Sequence, residues 1–304
     1  MLGVVNLDKP VGPTSHDMVG LLRRLTGTRR IGHAGTLDPL ASGVLPILVG
    51  AATRFSEELT GGPKRYEAAI RLGSVSATDD AEGPPIPGPG PVPAEPEIRS
   101  ALTAFAGTFA QRPPAFSARK LAGRTAHRAA RAGEPLVLAS RQVTVYAIEV
   151  IAMTPGDGWT DVAIDLRCGA GTYVRSIARD LGEALGCGGY LHALRRTEAA
   201  GLLVTDALRP EQLEILRDEG RFEQVLLPVA DLLPLPRLRL SGIDAERFRH
   251  GSRITVALDA DAAARAKGDG RHAVFDPSDQ LLGVGSLVAG QLQPEKVLAL
   301  QGAP

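Results

Sequence analysis

Two stretches far apart in the chain alternate so strictly that they restrict the fold before anything else does. In "KRYEAAIRLG" (64–73), Tyr66, Ala68, Ile70 and Leu72 fall on one side. In 159–168, Val162, Ile164, Leu166 and Cys168 do the same. Apolar residues at period two mark strands with one packed face. Strands and helices follow one another without regular βαβ alternation. The chain is therefore expected to be α+β, with a mostly antiparallel mixed central sheet flanked by helices.

Other elements are read the same way. "GVVNLDKP" is a short buried strand ended by Pro10. "TSHDMVGLLRRLTG" is a helix: Thr14 and Asp17 have capping-box spacing, Met18, Leu21, Leu22 and Leu25 form one face, and Gly27 is the stop. A loop leads to a strand at "VLPILVG". Residues 83–96 hold seven prolines and are expected to be a stiff surface excursion, with 84–96 as a Pro-rich loop. Helices are expected near 95–106 and across 119–132, and strands at 142–152 and 159–168. "TYVRSIARDLGEALG" is helical, and "YLHALRRTEAAGL" is a strand with its turn. The Pro-punctuated stretch 227–240 marks a boundary. Beyond it "ITVAL", "HAVFD" and "LLGVGSLV" predict a small β-rich module. This divides 304 residues into 1–232 and 233–304.

Charge is neutral in sum and uneven in distribution. Residues 111–131 carry six bases (Arg112, Arg119, Lys120, Arg124, Arg128, Arg131) and no acid. Residues 1–54 and 167–196 each have three more bases than acids, while 205–233 has seven acids against three bases. Such blocks suit a polyanion-binding face on a neutral body. No apolar run approaches the roughly 20 residues of a membrane span. The N-terminus, with Asp8 in "MLGVVNLDKP", lacks a secretory pattern. Cys168 and Cys187 form neither a disulfide framework nor a metal motif, so a cytoplasmic, reduced setting is expected.

Several chemistries fail on residue identity. Gly27 and Gly32 have P-loop spacing, but His33 and Ala34 stand where Lys and Ser/Thr belong. No dinucleotide fingerprint is completed. Ser117–Lys120 matches S-x-x-K without its companion motifs; a hydrolase using Ser117 would act without RNA. His16, His33 and the cysteines lack ligand spacing. What remains is Asp38 in "GHAGTLDPLASGVL". An Asp before Pro is a common turn former. The alternative is a catalytic carboxylate, which needs a nearby cation and an aromatic surface for a flat substrate. Tyr66 in "KRY" and Tyr173 in "GTYVR" could supply that surface or be core tyrosines. Residue chemistry leaves both questions open.

The wider pattern resembles the TruB family of tRNA uridine-55 pseudouridine synthases. The resemblance runs in order through "LDKPVGPTSHD" (7–17), "RRIGHAGTLDPLASGVLPILVGAATR" (29–54), "KRYEAAIRLG" (64–73), "TDDAEG" (78–83), "RPPAFSARKLAGRTAHRAARAG" (112–133) and "GTYVRSIARDLGEALGCGGYLHALRRT" (171–197), to a PUA-like tail ending "LQPEKVL". It implies the pseudouridine synthase fold and a stand-alone bacterial enzyme, expected to be a monomer. It also implies isomerisation of uridine in the TΨC arm of tRNA, with no metal, nucleotide or other cofactor.

By motif position, the resemblance makes Asp38 the catalytic aspartate and Arg175 its ion-pair partner, holding it charged. Tyr66 would stack on the flipped uracil, Tyr173 would lie against the base, and Leu194 would wall the pocket. Lys9 and Lys120 would contribute to pocket structure or backbone contact. His33 would occupy the T loop where the flipped nucleotides were, and Arg119, Arg124 and Arg128 would face RNA. His127 departs from the family's usual Tyr. Three routes stay open for Asp38: attack at C1′, attack at C6, or removal of the C2′ proton. A non-catalytic tRNA-binding or folding protein using the same face is the competing reading.

Overall fold

The computed structural model of the protein describes residues 1–116, 120–121, 124–125, 129, 132, 134, 136, 138–256 and 269–298. Strand β1 (Gly3–Lys9) leads into helix α1 (Ser15–Thr26). The helix begins and ends where its sequence places it. Thr14 Oγ1 accepts the Asp17 N–H at 3.1 Å, and Asp17 accepts the Thr14 N–H at 2.8 Å. Gly27 closes it, its N–H donating to the Arg23 carbonyl at 3.0 Å.

Strands β2 (Ile31–His33) and β3 (Ala41–Val49) follow, then the short helix α2 (Ser56–Thr60) and β4 (Lys64–Leu72). A small ladder pairs β5 (Ser74–Val75) with β6 (Ile86–Pro87). Helix α3 (Glu95–Thr103) precedes β7 (Gly107–Gln111) and a hairpin of β8 (Lys120–Leu121) and β9 (Arg124–Thr125). Two long strands, β10 (Arg141–Pro155) and β11 (Thr160–Cys168), lead to helix α4 (Val174–Ala184), then β12 (Gly189–Ala199) and β13 (Leu202–Leu203).

The main sheet runs β1–β3–β12–β4–β11–β10–β7, with β2 added to β3 and β13 to β12. Among the described strands the β3–β12 pair is parallel and every other neighbouring pair in this sheet is antiparallel. The alternating strands put Ile70, Leu72, Val162, Ile164 and Leu166 into one core. Met18 and Leu22 of α1, Ile98 and Leu102 of α3, and Ile177 and Leu181 of α4 cover that face. The opposite face carries ion pairs between neighbouring strands, Arg65 with Asp165 at 2.9 Å and Arg71 with Asp161 at 2.7 Å.

Residues beyond 236 build the small β-rich module. Its sheet runs β14 (Arg237–Arg239), β16 (Gly270–Phe275), β17 (Leu281–Val288), β18 (Gln291–Val297) and β15 (Ile254–Thr255). Leu238, Phe248, Val274, Leu287 and Leu292 form its own core. Phe275 and Val284 pack with Phe55 and Leu59 of the larger body. Next to that seam Glu58, on α2, is buried between Arg271 and Lys296, the latter at 2.8 Å.

Two expectations are corrected. Across 119–132 the sequence predicts a helix; Ala129 is helical, yet at 120–125 Lys120 pairs with Thr125 and Leu121 with Arg124 as strands. Gly123 in the middle of the stretch weakens any helix there. The Pro-rich stretch is not merely a surface excursion. Ile86 and Pro87 pair with the chain after β4, and Gly88 donates to the Gly73 carbonyl at 2.9 Å. Val92 packs against the main core. Proline supplies extended backbone here, and extended backbone can pair.

Candidate active site

The loop between β2 and β3 is held from three sides. Ser15, at the start of α1, donates to the Leu37 carbonyl at 2.9 Å and accepts the Leu37 N–H at 2.8 Å. Gly12 donates to the Pro39 carbonyl at 2.8 Å. From β12, the buried Arg196 donates to the carbonyls of Val44 (2.7 Å), Gly35 (2.9 Å) and Thr36 (3.4 Å). Arg196 can come this close because Gly43 lies against it. A Cβ at Gly43 would stand 2.2 Å from the Arg196 carbonyl oxygen, and its φ of 101° excludes most side chains.

Asp38 is thereby presented on a fixed loop, and it does form a turn: Ala41 donates to its carbonyl at 3.0 Å. Its carboxylate is 2.9 Å from Nη2 of Arg175, a buried residue in the first turn of α4. The other guanidinium nitrogen, Nη1, lies 3.3 Å from Asp80 and 3.3 Å from the Thr78 carbonyl. Burial pushes the Asp38 carboxyl above the usual range; Arg175 pulls it down and Asp80 pushes it up again. The net direction is upward, so the ion pair offsets only part of the desolvation. The side chain remains 37 % exposed.

A cleft of about 690 Å³ opens over Asp38. Tyr66, Tyr173, Arg175 and Leu194 line it with Asp38, bringing together five residues from four separate parts of the sequence. Tyr66 is almost wholly buried, which raises its pKa against the pull of Arg196 and keeps its hydroxyl protonated at neutral pH. Tyr173 N-caps α4 and faces Arg141, whose guanidinium is 5.2 Å from the ring centroid.

The other expected residues stand elsewhere. Lys9 is fully buried below the loop and outside the cleft lining, donating to the carbonyls of Pro10 (2.8 Å) and Pro13 (2.7 Å). Burial lowers its pKa to about 8. His33 is half-buried on β2 and also outside the lining; burial lowers its pKa, with Arg196 and His16 adding to the shift. Lys120 and Arg124 lie on the short hairpin. Arg119, Arg128, Ser117 and His127 fall outside the described residues.

The chain that builds this cleft matches a known group along its sequence. Residues 23–174 match the family model described as TruB family pseudouridylate synthase (N terminal domain). Residues 175–234 match the tRNA pseudouridylate synthase B C-terminal domain, and 236–298 the pseudouridine synthase II TruB C-terminal model. The chain belongs to the TruB family. It is therefore a pseudouridine synthase, an isomerase. The tRNA pseudouridine synthase B of Ralstonia pickettii (strain 12J) is 40 % identical over 302 residues, spanning 98 % of this chain and 94 % of that one. The protein of the same name from Acaryochloris marina (strain MBIC 11017) is 41 % identical over 302 residues, spanning 99 % and 100 %. Among solved structures, a chain in the crystal structure of a Cbf5-Nop10-Gar1 complex superimposes with a TM-score of 0.73 at 26 % identity, covering 97 % of this chain and 84 % of that chain.

Three residues that line or brace this TruB-family cleft escape the sequence reading. Asp80 belongs to "TDDAEG", but nothing in that run says which acid turns inward. Asp79 adopts φ 60° and pairs with Arg179 at 3.0 Å, leaving Asp80 to face Arg175. Arg196 looks like a surface base of "LRR", yet only its burial reveals that it braces the loop. Gln111, fully buried at the end of β7, accepts the Tyr173 N–H at 2.9 Å and donates to the Tyr173 carbonyl at 3.0 Å. Lys64 also lines the cleft; it donates to the carbonyls of Thr60 and Gly62, each at 2.6 Å, and burial lowers its pKa to about 8.

Proposed function

We propose that this chain isomerises uridine to pseudouridine at position 55, in the TΨC arm of tRNA, and that Asp38 is its catalytic carboxylate. The observation that carries this reading is the Asp38–Arg175 pair at 2.9 Å, on the floor of a cleft flanked by Tyr66 and Tyr173. The full-length likeness to proteins named tRNA pseudouridine synthase B supports tRNA as the substrate.

The reaction adds and removes no atoms overall. The C1′–N1 bond breaks, the uracil turns over, C5 bonds to C1′, the C5 proton leaves and N1 takes one up. Whether Asp38 works at C1′, C6 or the C2′ proton, it must be ionised and within bonding reach. Arg175 favours the ionised form, and the braced loop fixes the reach. A base stacked in the arm must be flipped out, which costs a few kcal/mol. Tyr66 and Tyr173 offer ring surfaces to receive it, and Leu194 offers an apolar wall.

In this reading His33 enters the T loop, and Lys120, Arg119, Arg124 and Arg128 contact RNA. Residues 1–232 are the catalytic domain and 233–304 a PUA-like RNA-binding module of a cytoplasmic monomer. The test is tritium release from tRNA labelled at uracil C5. Asp38→Asn is expected to lose turnover by about a thousandfold or more while still binding tRNA. Near wild-type turnover would remove Asp38 from the chemistry. No turnover by the wild-type protein would favour the non-catalytic binding reading.

A further inference from the structure

Isomerisation needs a base in the cleft as well as Asp38. When C5 bonds to C1′ it still carries its hydrogen. That C–H bond must then break, its electron pair restoring the C5–C6 double bond. The proton goes to a base and on to water, and N1 takes up a proton in exchange. A base placed at the reacting atom is worth about 10²–10⁴-fold in rate.

The side chains lining the cleft narrow the choice. Hydroxyls ordinarily keep their proton near neutral pH, and lysine and arginine are donors. Among the described residues three carboxylates line the cleft: Asp38, Asp80 and Glu82. Asp38 faces Arg175 and is committed to the opening step. Asp80 is buried and fully used. Its Oδ2 lies 3.3 Å from Arg175, and its Oδ1 accepts the Thr78 hydroxyl at 2.5 Å and the Glu82 N–H at 3.0 Å.

Glu82 is neither buried nor paired. Its side chain is exposed at the edge of the cleft. Oε1 accepts the Leu40 N–H at a long 3.3 Å. Among the described residues Oε2 makes no hydrogen bond, and no cation lies within ion-pair distance. Partial burial and the charges of Asp80 and Asp38 push the Glu82 pKa upward, which makes it a stronger base than a free carboxylate.

The backbone beneath it is fixed. Leu191 of β12 donates to the Asp79 carbonyl at 3.0 Å, and Gly83 donates to Thr78 Oγ1 at 3.0 Å. A Cβ at Gly83 would stand 2.6 Å from Ser76 Oγ, so the turn leaves no room for a side chain there. Leu40 follows Asp38 by two residues, so its N–H holds the Glu82 carboxylate against the loop that presents Asp38. A carboxylate held at one oxygen, free at the other and open to solvent can take a proton and release it to water.

We propose that Glu82 is the base that removes the C5 proton of the rearranged uracil, directly or through one water. It rests on the tRNA reading above. Glu82→Gln is the decisive variant, because it keeps an acceptor for the Leu40 N–H and removes only the basicity. Pseudouridine formation is followed by nucleoside chromatography under single-turnover conditions, on ordinary tRNA and on tRNA made with uridine deuterated at C5. Glu82→Gln is expected to slow formation by about 10²–10⁴-fold and to show a larger C5 deuterium isotope effect than the wild type. A residue that only latched the loop would move neither. A wild-type rate in Glu82→Gln overturns the proposal, as does a slow rate with an isotope effect no larger than the wild type's. An isotope effect that rises in Tyr173→Phe and not in Glu82→Gln would hand the role to Tyr173. Absence of pseudouridine with the wild-type protein would instead overturn the reading beneath it.

Discussion

Asp38 and Asp80 hold opposite ends of one guanidinium: Nη2 of Arg175 is 2.9 Å from the first and Nη1 is 3.3 Å from the second. Asp80 raises the Asp38 pKa by its charge and also shares the cation that lowers it. Asp80→Asn keeps an acceptor for Thr78 and Glu82 and removes the charge. The Asp38 pKa should fall. If activity requires ionised Asp38, the acid limb of kcat/KM should move to lower pH. A pH series of tritium release checks this; an unmoved or upward-shifted limb contradicts it.

Gln111 grips Tyr173 by both backbone polar groups. Gln111→Met leaves the N–H and carbonyl of Tyr173 without these partners, at a cost of about 1–3 kcal/mol. Turnover is expected to fall about tenfold for each 1.4 kcal/mol lost at the transition state. The loss should not add to that of Tyr173→Phe if Gln111 acts through Tyr173. A double-mutant cycle in kcat/KM measures this, and full additivity would make Gln111 an independent structural residue.

Lys64 and Lys9 have folded pKa values of about 8, below their ordinary 10.5. Between those values the unfolded chain binds more protons than the folded one. Stability must then rise with pH, by up to about 1.4 kcal/mol per unit for each lysine. Cys168, raised from 9.0 to about 11, acts in the opposite direction above pH 9. The clean window is therefore pH 8 to 9. Lys64→Met should flatten the pH dependence of urea unfolding there; an unchanged slope would contradict the assignment.

Glu58 ties the C-terminal module to α2 through Arg271 and Lys296. Glu58→Gln keeps the shape and leaves two cations without their buried carboxylate. Both cations are partly exposed and keep Glu295 and Glu57, so the loss is about 1–3 kcal/mol. The thermal midpoint should drop by several degrees, and limited proteolysis should become faster near 227–240. A midpoint within a degree of wild type would mean that the apolar seam alone holds the module.

Local signals were the legible ones. The bounds of helix α1 are legible because its cap, its apolar face and its stop are all short-range features. The alternating strands named their buried faces for the same reason. The first half of 119–132 reads as helix by spacing, while Gly123 and strand pairing at 120–125 oppose it. Asp38 shows the limit most plainly. Its neighbours read as a turn, and it does form one; the cation it needs is on α4, far along the chain. The family resemblance supplied that pairing, and residue chemistry alone did not. Asp80, Arg196 and Gln111 are not legible because a single polar residue has no period to betray which way it points.

The bracing of the Gly35–Thr36 loop by Arg196 has a consequence for synthesis. The carbonyl of Gly35 and the guanidinium that holds it are 161 positions apart. A ribosome adding about 5–20 residues per second needs roughly 8–30 s to cover that distance. Throughout that interval the emerging chain has its carboxylate loop but not the strand that fixes it. The enzyme is born with its cleft unfinished, and competence arrives only as β12 docks beside β3.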